Sequence, residues 1–107
     1  LEIVSKSNAG PGGKPPRMLV LVPPAMGDVG GTWLAPIFDR AHSGEALERL
    51  RETYPPVASA FGARGYDLNQ VVGPGTIDGM HFDPDALQPV AVALADVVRD
   101  MLYALEP

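Results

Sequence analysis

The spacing of apolar positions changes along this chain, and each change marks an element. Met18-Leu19-Val20-Leu21-Val22 is a continuous apolar run that stops at Pro23-Pro24. A run without alternation predicts a strand buried on both faces, the habit of central strands in parallel sheets. The two prolines end it because neither donates to a ladder. From Ser43, the expected N-cap, Leu47, Leu50 and Tyr54 fall at helical spacing behind Glu45. Pro55-Pro56 should break or kink this helix by removing two backbone donors, and a short piece at 57–63 continues the layer. Tyr66-Asp67-Leu68 reads as a second short strand that leads into a loop over 69–82. Asp83-Pro84 then supplies an N-cap and a first-turn proline. Leu87, Val90, Leu94, Val97, Val98, Met101, Leu102 and Leu105 form one helical stripe of core residues, and Pro89 is early enough to cost only a local kink.

The order strand, helix, strand, helix predicts an α/β layer around a parallel sheet. Two strands alone do not make a stable sheet of that kind, so further strands are expected from another polypeptide or from a preceding part of the same one. Leu1-Glu2-Ile3-Val4 reads as the end of a helix already under way, and the start at Leu1 predicts a truncated or cleaved chain, a purification tag being the plain alternative. Residues 5–16, with three glycines and three prolines, are a loop by composition. The chain thus divides into 1–16, a helix end plus a Gly/Pro-rich loop, and 17–107, the body of the domain.

Composition narrows the function. At 107 residues there is room for one small domain. The net charge of −5, with acids and bases intermixed, argues against a nucleic-acid groove and a basic membrane-surface helix. No apolar run approaches the roughly 20 residues of a membrane span. Without cysteine there is no disulfide and no thiolate metal site. A cytoplasmic protein without a cofactor is expected.

The chemistry gathers at Ile77-Asp78-Gly79-Met80-His81-Phe82, where an acid precedes a histidine by three residues. Asp78 and His81 are two-thirds of a nucleophilic triad: His81 would accept a hydroxyl proton through one ring nitrogen, and Asp78 would hold the proton on the other. Gly79 permits the tight turn that brings the carboxylate beneath the ring. The loop follows a strand and precedes a helix, where α/β sheets bind ligands. By pattern alone a surface or helix-capping role is the bland alternative. Asp78, His81 and Asp83 are also a possible metal set, but Asp83 is better used as a cap and no second histidine is near in sequence, so no metal is expected. His42 reads as a solvent-facing loop residue. Gly10-Pro11-Gly12-Gly13-Lys14-Pro15 is not a phosphate loop, since Asn8 and Pro15 stand where Gly and Ser or Thr are needed. Trp33, Leu34, Ile37 and Phe38 form an apolar cluster, read as core or a subunit contact and alternatively as part of a substrate entrance.

The block Thr76 to Phe82 resembles the last block of SGNH (GDSL-type) hydrolases, in which an Asp-x-x-His supplies two triad members. The upstream order is similar to the arylesterase/acyltransferase branch: a Gly-Pro-Gly-Gly loop, Pro16-Arg17-Met18-Leu19-Val20-Leu21-Val22-Pro23-Pro24, an irregular aromatic segment, a helix and the Tyr-Asp strand. The resemblance runs from residue 3 onward. It implies the C-terminal half of a three-layer, flavodoxin-like parallel-sheet fold, incomplete in this chain. It further implies a serine-dependent esterase or acyltransferase of small acyl or aryl esters, with His81 as base, Asp78 as its acid partner, and Trp33 and Phe38 at the acyl-binding entrance. The nucleophile and oxyanion hole belong to earlier blocks, so the implied partners are an N-terminal segment carrying Gly-Asp-Ser, a small ester, and further copies in a homo-oligomer. None of Ser5, Ser7, Ser43 and Ser59 has the nucleophile's motif, and alone the pair would catalyse nothing. Ala25 replaces a third proline common in the branch, and Pro55-Pro56 falls where the family keeps an unbroken helix. The competing expectation is a non-catalytic fragment or interaction module.

Overall fold

A computed structural model describes residues 1–104. Three helices and two strands follow in the order α1 (Glu2–Ser5), β1 (Leu19–Val22), α2 (Glu45–Ala60), β2 (Arg64–Asp67) and α3 (Leu87–Tyr103). The strands pair in parallel, with Leu19 beside Arg64 and Val22 beside Asp67. A parallel pair needs a crossover, and α2 supplies it, packing on both strands.

The alternation of a strand assigns the two faces. Leu21 and its register partner Tyr66 pack with Val90 and Leu94 of α3 around buried Leu68 and Val72. Gly65, partner of Val20, faces the other way, where a Cβ would lie 3.6 Å from Pro55 Cα of α2. Helices therefore cover opposite faces of a two-stranded sheet, a three-layer α/β arrangement with part of its sheet. A second small core, Met26, Val29 and Leu34 with half-buried Phe38, Leu47 and Met80, lies under the loops beyond β1. Of the β1 residues only Val22 is buried, the other three being half-buried, so the expected burial on both faces is not complete here.

Several local expectations are corrected. α2 runs unbroken through Pro55 and Pro56 to Ala60. Each proline removes an N–H that would bond the carbonyl four residues back, but those carbonyls belong to Arg51 and Glu52 on an exposed helix whose one buried residue is Ala58, so water can take them. Ser43 does not cap α2. It lies within a π-helical turn, Arg40–Gly44, whose cap is Asp39, accepting from the His42 N–H at 2.7 Å. β2 begins at Arg64, and Leu68 already belongs to a 3-10 turn, Leu68–Gln70. Asp83 precedes the 3-10 turn Pro84–Ala86 that leads into α3, with Pro84 in the first turn, but its side chain caps nothing there. Leu105, assigned to the α3 stripe, lies outside the described residues.

Candidate active site

The loop between the turn after β2 and α3 carries Asp78 and His81, and its shape follows from its residue types. Asp78 Oδ1 accepts the N–H groups of Met80 and His81, each at 2.9 Å. This is the local bonding by which Asp turns a chain. The turn needs φ +79° at Gly79, a region open to glycine, and a Cβ there would come within 2.5 Å of the Asp28 carbonyl oxygen. At Gly75 a Cβ would overlap the His81 carbonyl oxygen. The Gly27 N–H donates to the Gly79 carbonyl at 2.8 Å, so the loop lies directly on the segment that follows β1.

With the turn made, Asp78 Oδ2 stands 2.6 Å from His81 Nδ1. The backbone N–H of His81, then that of Met80, then the imidazole hold the Asp78 carboxyl down at about 2. An ionised carboxylate only accepts, so Nδ1 carries the proton and donates, which leaves Nε2 of the neutral ring with a free lone pair. The Asp78 side chain is 22% exposed and the imidazole 72%. The carboxylate is thus half-buried while the ring faces outward. Beside the ring is a groove of about 300 Å³ lined by Leu21, Pro23, Pro24, Leu68, Met80, His81 and Phe82. It lies beyond the carboxyl end of β1, the side on which open α/β sheets bind ligands, and among the described residues His81 is its only polar side chain.

The proline wall of that groove is held by a chain of hydrogen bonds absent from the sequence reading. Pro23 and Pro24 cannot extend the ladder, and the Asn69 amide substitutes for it. Its Nδ2 donates to the Pro23 carbonyl at 3.0 Å, and its Oδ1 accepts from the Ala25 N–H at 2.7 Å. Asp67 Oδ1 accepts from Asn69 Nδ2 at 2.7 Å and from its backbone N–H at 2.9 Å, while Oδ2 accepts from Arg51 Nε at 2.9 Å. Burial pushes the Asp67 carboxyl up, but bonds from Asn69 and Arg51 outweigh it and leave the group below its ordinary value.

Asp83 is turned back into the loop. Its carboxylate accepts from the Thr76 N–H at 2.9 and 3.0 Å, from Thr76 Oγ1 at 2.8 Å and from the Ile77 N–H at 3.3 Å. The hydroxyl and then the backbone of Thr76 lower its pKa. Among the described residues no group of three His, Cys, Asp or Glu side chains is placed to hold a metal ion. Trp33 is 70% exposed. Phe38 packs in the Met26 core beside Met80, and neither Trp33 nor Phe38 lines the groove at His81.

A second Asp-x-x-His, Asp39 to His42, went unread although its spacing is the same. His42 Nδ1 lies 2.9 Å from Asp39 Oδ2, and the bond from the His42 N–H, followed by that from its ring, lowers the Asp39 carboxyl. Both side chains are open to solvent, at 88% and 60%, and His42 lines none of the grooves described.

No protein-family profile matches the chain, and no curated protein sequence does. Solved structures match it well. An aryl esterase of M. smegmatis is similar over 92% of this chain and 46% of its own, at 27% identity and a TM-score of 0.74. A carbohydrate acetylesterase family member from Sinorhizobium meliloti is similar over 88% and 43%, at 26% identity and a TM-score of 0.76. Est24, a carbohydrate acetylesterase from the same organism, matches over 94% and 48% with a TM-score of 0.78, and at 21% identity that likeness is one of fold. These neighbours have the SGNH hydrolase fold. The present chain has part of it, spanning about half the length of the structures it matches.

Proposed function

We propose that this chain is the part of a serine-dependent esterase or acyltransferase that supplies the general base and its acid partner, acting on small acyl or aryl esters. The observation that carries the reading is the 2.6 Å bond between half-buried, ionised Asp78 and His81 Nδ1, with Nε2 left free beside an apolar groove. The neighbours' esterase names support the reaction class.

In this mechanism His81 Nε2 takes the proton of a serine hydroxyl as its oxygen attacks the ester carbonyl. Asp78 keeps the ring in the Nδ1–H form and stabilises the imidazolium. The same nitrogen then returns the proton to the departing alcohol. An acyl-serine remains, and water or a second alcohol takes the acyl group by the reverse proton path. The serine and the oxyanion donors are assigned to a polypeptide segment bearing a Gly-Asp-Ser block, which completes the sheet beside β1. The test is p-nitrophenyl acetate turnover by the complete enzyme and by its His81→Ala form. Loss of the base should lower kcat by at least about a thousandfold. Unchanged turnover takes His81 out of the mechanism.

A further inference from the structure

Asp78 and His81 are bonded to each other and to the backbone between them, and those three bonds hold only while residues 78–81 keep their turn. The loop needs outside anchors. One is the Gly27 N–H on the Gly79 carbonyl. The other is Asp83, whose carboxylate gathers both N–H groups and the hydroxyl at the loop's opening residues, Thr76 and Ile77. Asp83 itself stands where the chain enters the turn that starts α3. Its carboxylate therefore closes an eight-residue ring, 76–83, ahead of that turn, with the acid–base pair inside. The usual service of an aspartate at that position, capping its own helix, is not performed, as no side-chain cap bond forms there.

We propose that Asp83 is a positioning residue that holds the two ends of the Asp78–His81 loop together and so keeps the His81 ring at its reactive angle. Its consequence for turnover rests on the esterase reading above, whereas its consequence for the ring does not. An ionised Asp78 selects the Nδ1–H tautomer only while the loop keeps carboxylate and ring together. Removing the clasp lets the ring sample both tautomers, and displacement of a base by about 1 Å costs on the order of 100-fold in rate.

The experiment reads the imidazole by ¹⁵N NMR in the protein that carries this chain, comparing the native form with Asp83→Ala, Asp83→Asn and Thr76→Val. His42, paired with Asp39 in the same way but outside the ring, is the internal control. Asp83→Ala should shift His81 toward mixed tautomers and leave His42 unchanged. Asp83→Asn loses the charge but keeps an acceptor, so it should recover part of the native signature. In the active enzyme Asp83→Ala should lower kcat about 10- to 100-fold with KM changed less than about threefold, and Asp83→Asn should fall between. If Asp83→Ala fails to fold, Thr76→Val, which removes one donor alone, should show a smaller shift of the same sign. An unchanged His81 tautomer in the folded variants overturns the proposal, and so does an unchanged kcat in an active enzyme. A shifted tautomer in a protein with no esterase activity sinks the esterase reading and leaves the positioning role standing.

Discussion

An aspartate three residues ahead of a histidine occurs twice in this chain, and both carboxylates reach their ring at Nδ1. What separates them is the setting. Asp39 and His42 are both open to water, where screening leaves an ion pair worth little. Asp78 is half-buried, accepts two backbone N–H groups as well as the ring, and holds a histidine that lines an apolar groove. Those backbone bonds, the one from His81 foremost, lower the Asp78 carboxyl from 3.8 to about 2. A carboxyl depressed in the folded state contributes stability that is complete above its unfolded value and is lost as pH falls through the folded one. The stability gap between the native form and Asp78→Asn should therefore close as pH falls from about 4 to about 2. Urea midpoints at several pH values measure it, and subtracting the two proteins cancels Asp39 and Asp67, which are also depressed. A gap that persists unchanged at pH 2 contradicts the assigned bonds. For the same reason Asp78 stays charged across the working range.

At the scale of elements, α2 carries an expectation that can be tested directly. Pro56 stands inside a regular helix and denies a donor to the Glu52 carbonyl. Because that side of the helix is exposed, Pro56→Ala should restore the bond without a clash and raise stability by roughly 1–3 kcal/mol, read as a shift in urea midpoint at constant slope. A fall in stability would mean that the stiffness proline gives the unfolded chain outweighs the missing bond. The same helix shows what was legible in the sequence. Strand, helix, strand and helix came from the apolar run at 18–22, the spacing behind Glu45 and the stripe of α3, since a change in apolar spacing separates strand from helix. The turn at Asp78 was legible because Asp, Gly and His each have few conformational reasons to stand in that order. Passage through Pro55-Pro56 was not, because propensity rules carry no information on whether water can reach two orphan carbonyls. Nor was the use of Asp83 and Asn69. Both bond to partners set by the tertiary path, Asn69 to Pro23 and Ala25 across more than 40 positions and Asp83 back to Thr76, and spacing alone makes capping the default.

For the whole molecule the size and surface disagree with a finished domain. A compact chain of 107 residues has a radius of gyration of about 13 Å, and this one has 16.3 Å, with extents of 52 × 27 × 21 Å. It exposes 7243 Å², against about 5,700 Å² for a compact protein of its mass. The surplus, on the order of 1,500 Å² by that scaling, is larger than one side of an ordinary protein interface. Its chemistry is apolar in part: Ile37, Leu87, Leu102 and Tyr103 are all more than half exposed, and β1, apolar throughout, has one strand partner and one open edge. Exposed patches of that kind are covered in stable proteins. Purified without a companion, the chain should bind a hydrophobic dye such as ANS and elute as an associated or expanded species. Co-produced with an α/β segment bearing Gly-Asp-Ser, it should lose dye binding, elute as a compact complex and gain turnover of p-nitrophenyl acetate. A compact, dye-silent monomer with a cooperative urea transition would show that this surface needs no cover, and the assignment of the serine to another segment would fall with it. Dye binding lost through self-association alone, with no gain of turnover on adding that segment, would assign the cover to a second copy of this chain and leave the Asp78–His81 pair without its nucleophile.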